Sequence, residues 1–518
     1  MKTSRFTLLF IVALFCSSST AARAYDWNNL SEKDIEEIKA QRLQFFAEHT
    51  RGRGEAIAEN QGGGLRLDGN QADFDVKHYA INLDLDFTTE TISASVACQV
   101  RSLVAALTAI DLNLRNELTV DSVQVAGANV AFTHTNHLLS IALPAPVGLD
   151  QLVTAEVFYH GTPYYDGAAG MDFTFEFGTQ LCWTKATPFR ARYWWPCKDF
   201  PEDKADSLDL YIECPEIYDV ATNGVRVSTT SLGGGRKIEH WQHRYPIVTY
   251  LVALCVADYV MNVSSWSHAG DTIPFLCYSL PGNAAAMSAF QTYGPQSLTI
   301  LSDRFGTYPF ITEKMGHADF GWTGAMEHQT FCMYSTDFHT DWVIAHESSH
   351  QWWGDMITCR TFNHIWINEG FASYCEALFM EATAGTNAYH NYMQTMKYLG
   401  PGSIYVENLT YAEIYDGNLS YNKAGWVLHM LRGVLGDSLF FAGVRAFANS
   451  QFRHGTANTQ DFIDVVSPAV GQDISWFINE WIYGEGNPYY DLGYECRPDG
   501  LGDYQLTFFI EQVQTYPT

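Results

Sequence analysis

His346-Glu347-Ser348-Ser349-His350, followed by Trp366-Ile367-Asn368-Glu369-Gly370, decides how the rest of this chain is read. On a helix, residues i and i+4 lie one turn apart on the same face, so His346 and His350 can grip one ion. Imidazole nitrogens hold zinc at about 2.0–2.1 Å in a tetrahedral set. Eighteen residues separate His350 from Glu369, which lets a second helix bring a carboxylate to the same metal. Two histidines and one glutamate leave the fourth position open, the arrangement of a catalytic rather than a structural site. Zinc suits such a donor set best, one ion per chain. Glu347, next to the first ligand, points at the metal's water, where a carboxylate serves as base. The competing picture is a solvated helix with two surface histidines, and Glu369 weighs against it.

Outward from that segment the apolar spacing stays helical. Ala284 to Phe305, Asp341 to Trp353, Glu369 to Thr383, Ala424 to Leu435 and Asp461 to Val466 all repeat at helix period. Upstream the period is two. Tyr79, Ile81, Leu83, Leu85 and Phe87 alternate with Ala80, Asn82, Asp84 and Asp86, as do Ile110, Leu112 and Leu114. Turn residues such as Asn223-Gly224 punctuate these runs to about residue 265, which reads as an antiparallel sheet domain. Ser31 to Glu48 is helical with mixed charges and is broken by glycines 62–64, reading as a surface helix and linker. After 485 the chain turns strand-like, with Gln505, Thr507 and Phe509 alternating against Leu506, Phe508 and Ile510. The expected organisation is an export signal over 1–24, an extension over 25–75, a β domain over 76–265, a catalytic domain over 266–485 and the start of a further β domain over 486–518.

Lys2 and Arg5 precede an apolar run from Phe6 to Phe15, and Ala22-Arg23-Ala24 supplies a small-x-small cleavage site. That run is too short to span a bilayer, and no other is long enough. The expectation is a secreted or periplasmic protein cut after Ala24. A net charge of −28 argues against nucleic acid and anionic membranes as partners. Export permits disulfides, but no two of the cysteines after residue 24 have CxxC spacing, which counts against a cysteine metal site. There is no nucleophile elbow, P-loop or dinucleotide fingerprint. His317, His339 and His364 read as hydrogen-bonded or surface histidines rather than ligands.

The two quoted motifs, extended through Gln351-Trp352 and Phe371-Ala372, resemble the signature of the M1 family of zinc aminopeptidases, over nearly the whole chain from about residue 76. The resemblance implies a multidomain α+β fold, with a saddle-like antiparallel N-terminal sheet domain before a thermolysin-like, mainly helical zinc domain. Gly324-Ala325-Met326-Glu327-His328 is similar to the family's substrate-edge motif, which has Asn where His328 stands. Its backbone would line the peptide, and Glu327 would bind the free α-amine. Ser420-Tyr421-Asn422-Lys423 resembles a segment whose tyrosine, here Tyr421, donates to the oxyanion. Arg192-Tyr193-Trp194-Trp195-Pro196-Cys197-Lys198-Asp199 resembles a hallmark of the first domain, with Cys197 structural.

Just upstream the chain departs from the pattern. Where the family places a carboxylate or amide that helps hold the amine, this chain has Thr187, within Thr184-Lys185-Ala186-Thr187. Lys185 would then repel the amine or face solvent. The resemblance implies an aminopeptidase acting on peptides with a free N-terminus, with Glu347 as general base. A thermolysin-like endopeptidase and a catalytically silent peptide binder remain as alternatives. The oligomeric state and the preferred N-terminal residue are not fixed by the sequence.

Overall fold

The structure, a computed structural model, describes residues 25–48, 68–498 and 504–513. The export signal expected over 1–24 and the glycine run at 62–64 lie outside the described residues.

The strand Phe74–Asp86 sits inside an eight-stranded sheet, antiparallel to Thr91–Ser102 on one side and parallel to Ser207–Pro215 on the other. The sheet is antiparallel as expected except for this one parallel pair. A bulge between Val76 and His78 explains the alternation. Phe74 and Val76 point inward, and the extra residue shifts the phase so that Tyr79, Ile81, Leu83 and Leu85 do so afterwards. The segment Arg192–Asp199 is a buried hub. Trp194, Trp195 and Cys197 are fully enclosed. Tyr159 donates to the Trp194 carbonyl at 2.9 Å, and Tyr79 Oη accepts from the Lys198 amide at 3.0 Å. Arg192 pairs with Asp199 at 2.9 Å. Burial pushes the Cys197 thiol well up, so it is inert packing.

The helical half is built on the helices α1 (Glu32–Glu48), α2 (Ala284–Phe305), α3 (Asp341–His350), α4 (Trp366–Ala384), α5 (Thr386–Thr395), α6 (Tyr411–Ile414), α7 (Ala424–Leu435), α8 (Asp437–Ala448) and α9 (Thr459–Val470). Beside them stands a five-stranded sheet in the order Val260–His268, Asp271–Ser279, Met315–Asp319, Phe331–Tyr334 and Ala325–Met326. Its first strand begins inside the stretch assigned to the β domain. Its last three strands carry no two-residue period, because every one of their side chains is buried. Helix α1, in the stretch expected as an extension, packs against α5 and the turn before α7.

A hairpin of Tyr490–Pro498 and Tyr504–Gln512 ends the described chain. Its Leu492, Tyr494, Phe508, Phe509 and Ile510 are exposed. Among the described residues all ten cysteines are free thiols, and no helix is long and apolar enough to cross a membrane.

Candidate metal centre

Helix α3 is enclosed on all sides from Trp342 to His350, which is why its polar residues must find partners inside the protein. Ser349 donates to the His346 carbonyl at 2.7 Å. His350 Nδ1 lies 2.8 Å from the Trp353 carbonyl, and His346 Nδ1 lies 2.7 Å from Glu376 Oε1 on α4. A carbonyl or carboxylate oxygen there can only accept, so both Nδ1 atoms carry the hydrogen. Both Nε2 atoms are turned toward each other and toward Glu369. Those two nitrogens are 3.1 Å apart. Glu369 Oε2 stands 3.4 Å from His346 Nε2 and 3.2 Å from His350 Nε2.

Two imidazole nitrogens and a carboxylate oxygen thus converge on one point, an arrangement that suits a cation. A tetrahedron with bonds of about 2.0–2.1 Å has edges of about 3.3 Å, and the observed triangle has that size. The donor set is nitrogen, nitrogen and oxygen, which fits zinc. Burial pushes the His346 ring down to about 4; burial alone would lower His350 too, but Glu327 and Glu369 outweigh it and raise that ring well above its ordinary value. Burial alone would raise the Glu369 carboxyl, but His350 and His346 outweigh it and hold it well below the carboxylate range.

Glu369 reaches this point because α4 approaches α7 closely. A side chain on Gly370 would meet Ala424 Cβ at 2.6 Å, so only glycine permits the contact. The same contact sets Tyr421, on a π-helical turn over Gly417–Lys423, beside the candidate ligand His346. Its ring lies parallel to that of His346 at 6.1 Å. Burial pushes the Tyr421 hydroxyl well up, so it remains a donor.

A carboxylate oxygen each of Glu327 and Glu347 and a ring nitrogen of His350 lie within 4.8 Å of one another. Burial raises both carboxyls, Glu347 the more strongly, with Glu327 and Glu369 adding to its shift. Glu327 follows the outermost strand of the five-stranded sheet, Ala325–Met326. Its carbonyl accepts from Gln351 Nε2 at 3.3 Å, which ties the strand's end to α3. Gly324 is required there, since a Cβ would fall 2.4 Å from the Trp322 ring. All nine residues singled out in the sequence, His346, Glu347, His350, Glu369, Tyr421, Gly324, Ala325, Met326 and Glu327, are brought to one place.

Thr187 is buried, its hydroxyl 3.8 Å from the Met326 sulfur, so it reaches the substrate-edge strand without charge. Lys185 does not face solvent. It is enclosed, donates to Tyr411 Oη at 2.7 Å and lies over the Trp322 ring at 4.0 Å. Burial, with Arg190, pushes its amine down to about 7. His317, His339 and His364 bond to Tyr334, Asp319 and Thr459. Sequence reasoning missed Glu376, two helical turns beyond Glu369 on the same face of α4. It also missed Arg42 of α1, whose guanidinium contacts Glu376 and donates to Tyr392 Oη at 2.6 Å.

The chain matches a family model for the peptidase M1 N-terminal domain over residues 75–251 and one for the peptidase family M1 domain over residues 315–481. It is 26% identical to Aminopeptidase M1 of Arabidopsis thaliana over 460 residues, covering 80% of this chain and 50% of that protein. It is 24% identical to the mitochondrial Aminopeptidase 2 of Saccharomyces cerevisiae, covering 79% of this chain and 46% of that one. The chain thus spans about half the length of these relatives. The M1 zinc metallopeptidase of Deinococcus radiodurans has the same fold, with a TM-score of 0.71 at 24% identity over 79% of this chain and 93% of that one. A mutant of that protein bound to a Tyr-Ser-Ala substrate gives a TM-score of 0.72 at 23% identity, over 81% and 96%. With both family models matched in order along one polypeptide, over this fold and this donor set, the chain belongs to peptidase family M1.

Proposed function

We propose that this chain is a zinc-dependent aminopeptidase that removes one residue at a time from peptides with a free N-terminus. The observation that carries it is the triangle of two imidazole nitrogens and one carboxylate oxygen, with Glu347 and Glu327 against His350. Bound there, zinc supplies a Lewis acid that polarises a carbonyl and brings the pKa of water to about 7.

The protein's own groups do the rest. Glu347 takes the proton of the attacking water and returns it to the departing amine. Its burial suits a carboxyl that must carry a proton in mid-cycle. The Tyr421 hydroxyl donates to the negative charge that develops on the carbonyl oxygen. Glu327 pairs with the substrate ammonium in an enclosed place, and the adjacent Ala325–Met326 backbone pairs with the peptide as an added strand. Thr187 brings no charge, so ammonium recognition rests on Glu327. Relatives named as aminopeptidases, and the tripeptide bound in the Deinococcus mutant, support the reading.

The test is a panel of fluorogenic aminoacyl substrates with a blocked control, with and without chelator. Hydrolysis of free but not N-acetylated substrates, lost with chelator and restored by zinc, is expected. Equal turnover of blocked and free substrates would make the chain an endopeptidase. We also infer export, from Lys2, Arg5, the apolar run and Ala22-Arg23-Ala24.

A further inference from the structure

The metal ligands, Glu347, Glu327 and Tyr421 are each no more than 6% exposed. A site that hydrolyses peptides has to admit one. What closes it on one side is the end of α1. Phe46 stacks on the Tyr421 ring at 4.1 Å and lies 6.1 Å from the His346 ring. Phe45 meets the His346 ring edge-on at 6.3 Å and packs on Trp342 and Phe338 at 5.2 and 5.1 Å. One turn earlier Arg42, wholly buried, donates to Tyr392 Oη and to Asn422 Oδ1 at 3.2 Å and contacts Glu376.

These contacts come from one narrow stripe. Ile38, Arg42, Phe45 and Phe46 are the buried side chains of α1 among those described, and its other faces are partly or fully exposed. Phe45 and Phe46 belong to the apolar core, but a helix attached along one stripe can detach by local opening rather than global unfolding. The groups it covers are the ones the reaction needs free: the oxyanion donor, a metal ligand and the carboxylate that orients that ligand.

We propose that α1 is an intramolecular occupant of the substrate cleft, displaced when a peptide binds. The inference rests on the aminopeptidase reading of the site. Phe46 takes the place of a substrate group over Tyr421, and Arg42 fastens the helix to Glu376. The segment is then a built-in competitor that lowers apparent substrate affinity by the fraction of molecules in which it is seated.

The experiment uses the full-length zinc-loaded protein and a small aminoacyl hydroxamate as probe. Hydrogen exchange over residues 32–48 and calorimetric binding are read together, on the wild type and on Phe46→Ala. The expected result is faster exchange across α1 once the hydroxamate is bound, and binding about tenfold tighter in Phe46→Ala. A peptide of residues 32–48 added to Phe46→Ala should compete with the probe. Equal affinity in both proteins, with α1 equally protected whether or not the probe is bound, would make α1 a fixed wall and overturn the proposal alone. A probe that binds neither protein would strike the reading of the site itself, and the occupant with it.

Discussion

His346 Nδ1 donates to Glu376 Oε1 at 2.7 Å, joining α3 to α4 behind the candidate metal site. That bond fixes the ring's tautomer and aim, and an anionic acceptor raises the basicity of the opposite nitrogen. Glu376→Gln keeps the shape and removes the charge. Zinc affinity should fall by about 10–100-fold, measured by competition with a chromogenic chelator. Far-UV circular dichroism should not change.

Glu347→Gln should abolish turnover while zinc stays bound, because Glu347 is not one of the three donors around the metal position. General-base loss typically costs about 10²–10⁴-fold. Metal analysis alongside kcat checks it. Substantial activity in the variant would remove Glu347 from the proton path.

Tyr421→Phe keeps the ring that lies along His346 and removes only the hydroxyl. An oxyanion donor acts on the transition state, so kcat should fall by about 10²–10³-fold with KM little changed. A variant in which KM rises and kcat holds would make Tyr421 a binding residue instead.

Lys314 is enclosed, and its amine donates to the Thr222 carbonyl at 2.8 Å and to Thr330 at 3.3 Å. Burial pushes it down to about 7, against about 10.4 in the unfolded chain. Between those values the unfolded state binds a proton that the folded state does not, so stability rises with pH across that window. The stability of the wild type relative to Lys314→Met should therefore increase from pH 7 to pH 9. The slope can be at most about 1.4 kcal/mol per pH unit for one proton. Chemical denaturation of both proteins across that range measures it, and parallel profiles would count against a neutral buried amine.

The candidate metal ligands were legible because helix geometry turns spacing into position. Two histidines four apart must share a face, and one glutamate can then complete the set. Glu376 obeys the same geometry, seven residues beyond Glu369, yet a lone glutamate carries no mark of what it supports. The strands at 315–334 were hidden for another reason. Alternation exists only where one face meets water, and these strands have none. The packing of helix α1 was hidden by its composition. Its charged residues outnumber its apolar ones, and the decisive stripe is only Ile38, Arg42, Phe45 and Phe46. Arginine counts as a surface residue until Glu376 is placed beside it. The parallel pairing of Phe74–Asp86 with Ser207–Pro215 joins segments more than a hundred residues apart, which no local pattern reports.

The free cysteines have a practical consequence. Nine of the ten described thiols are buried, and Cys496, on the C-terminal hairpin, is exposed. A maleimide dye added to the folded protein would therefore find Cys496 alone among them, giving one fluorophore at a known address. The same reagent in denaturant would find all ten, so dye uptake over time becomes a clock for how often the molecule opens.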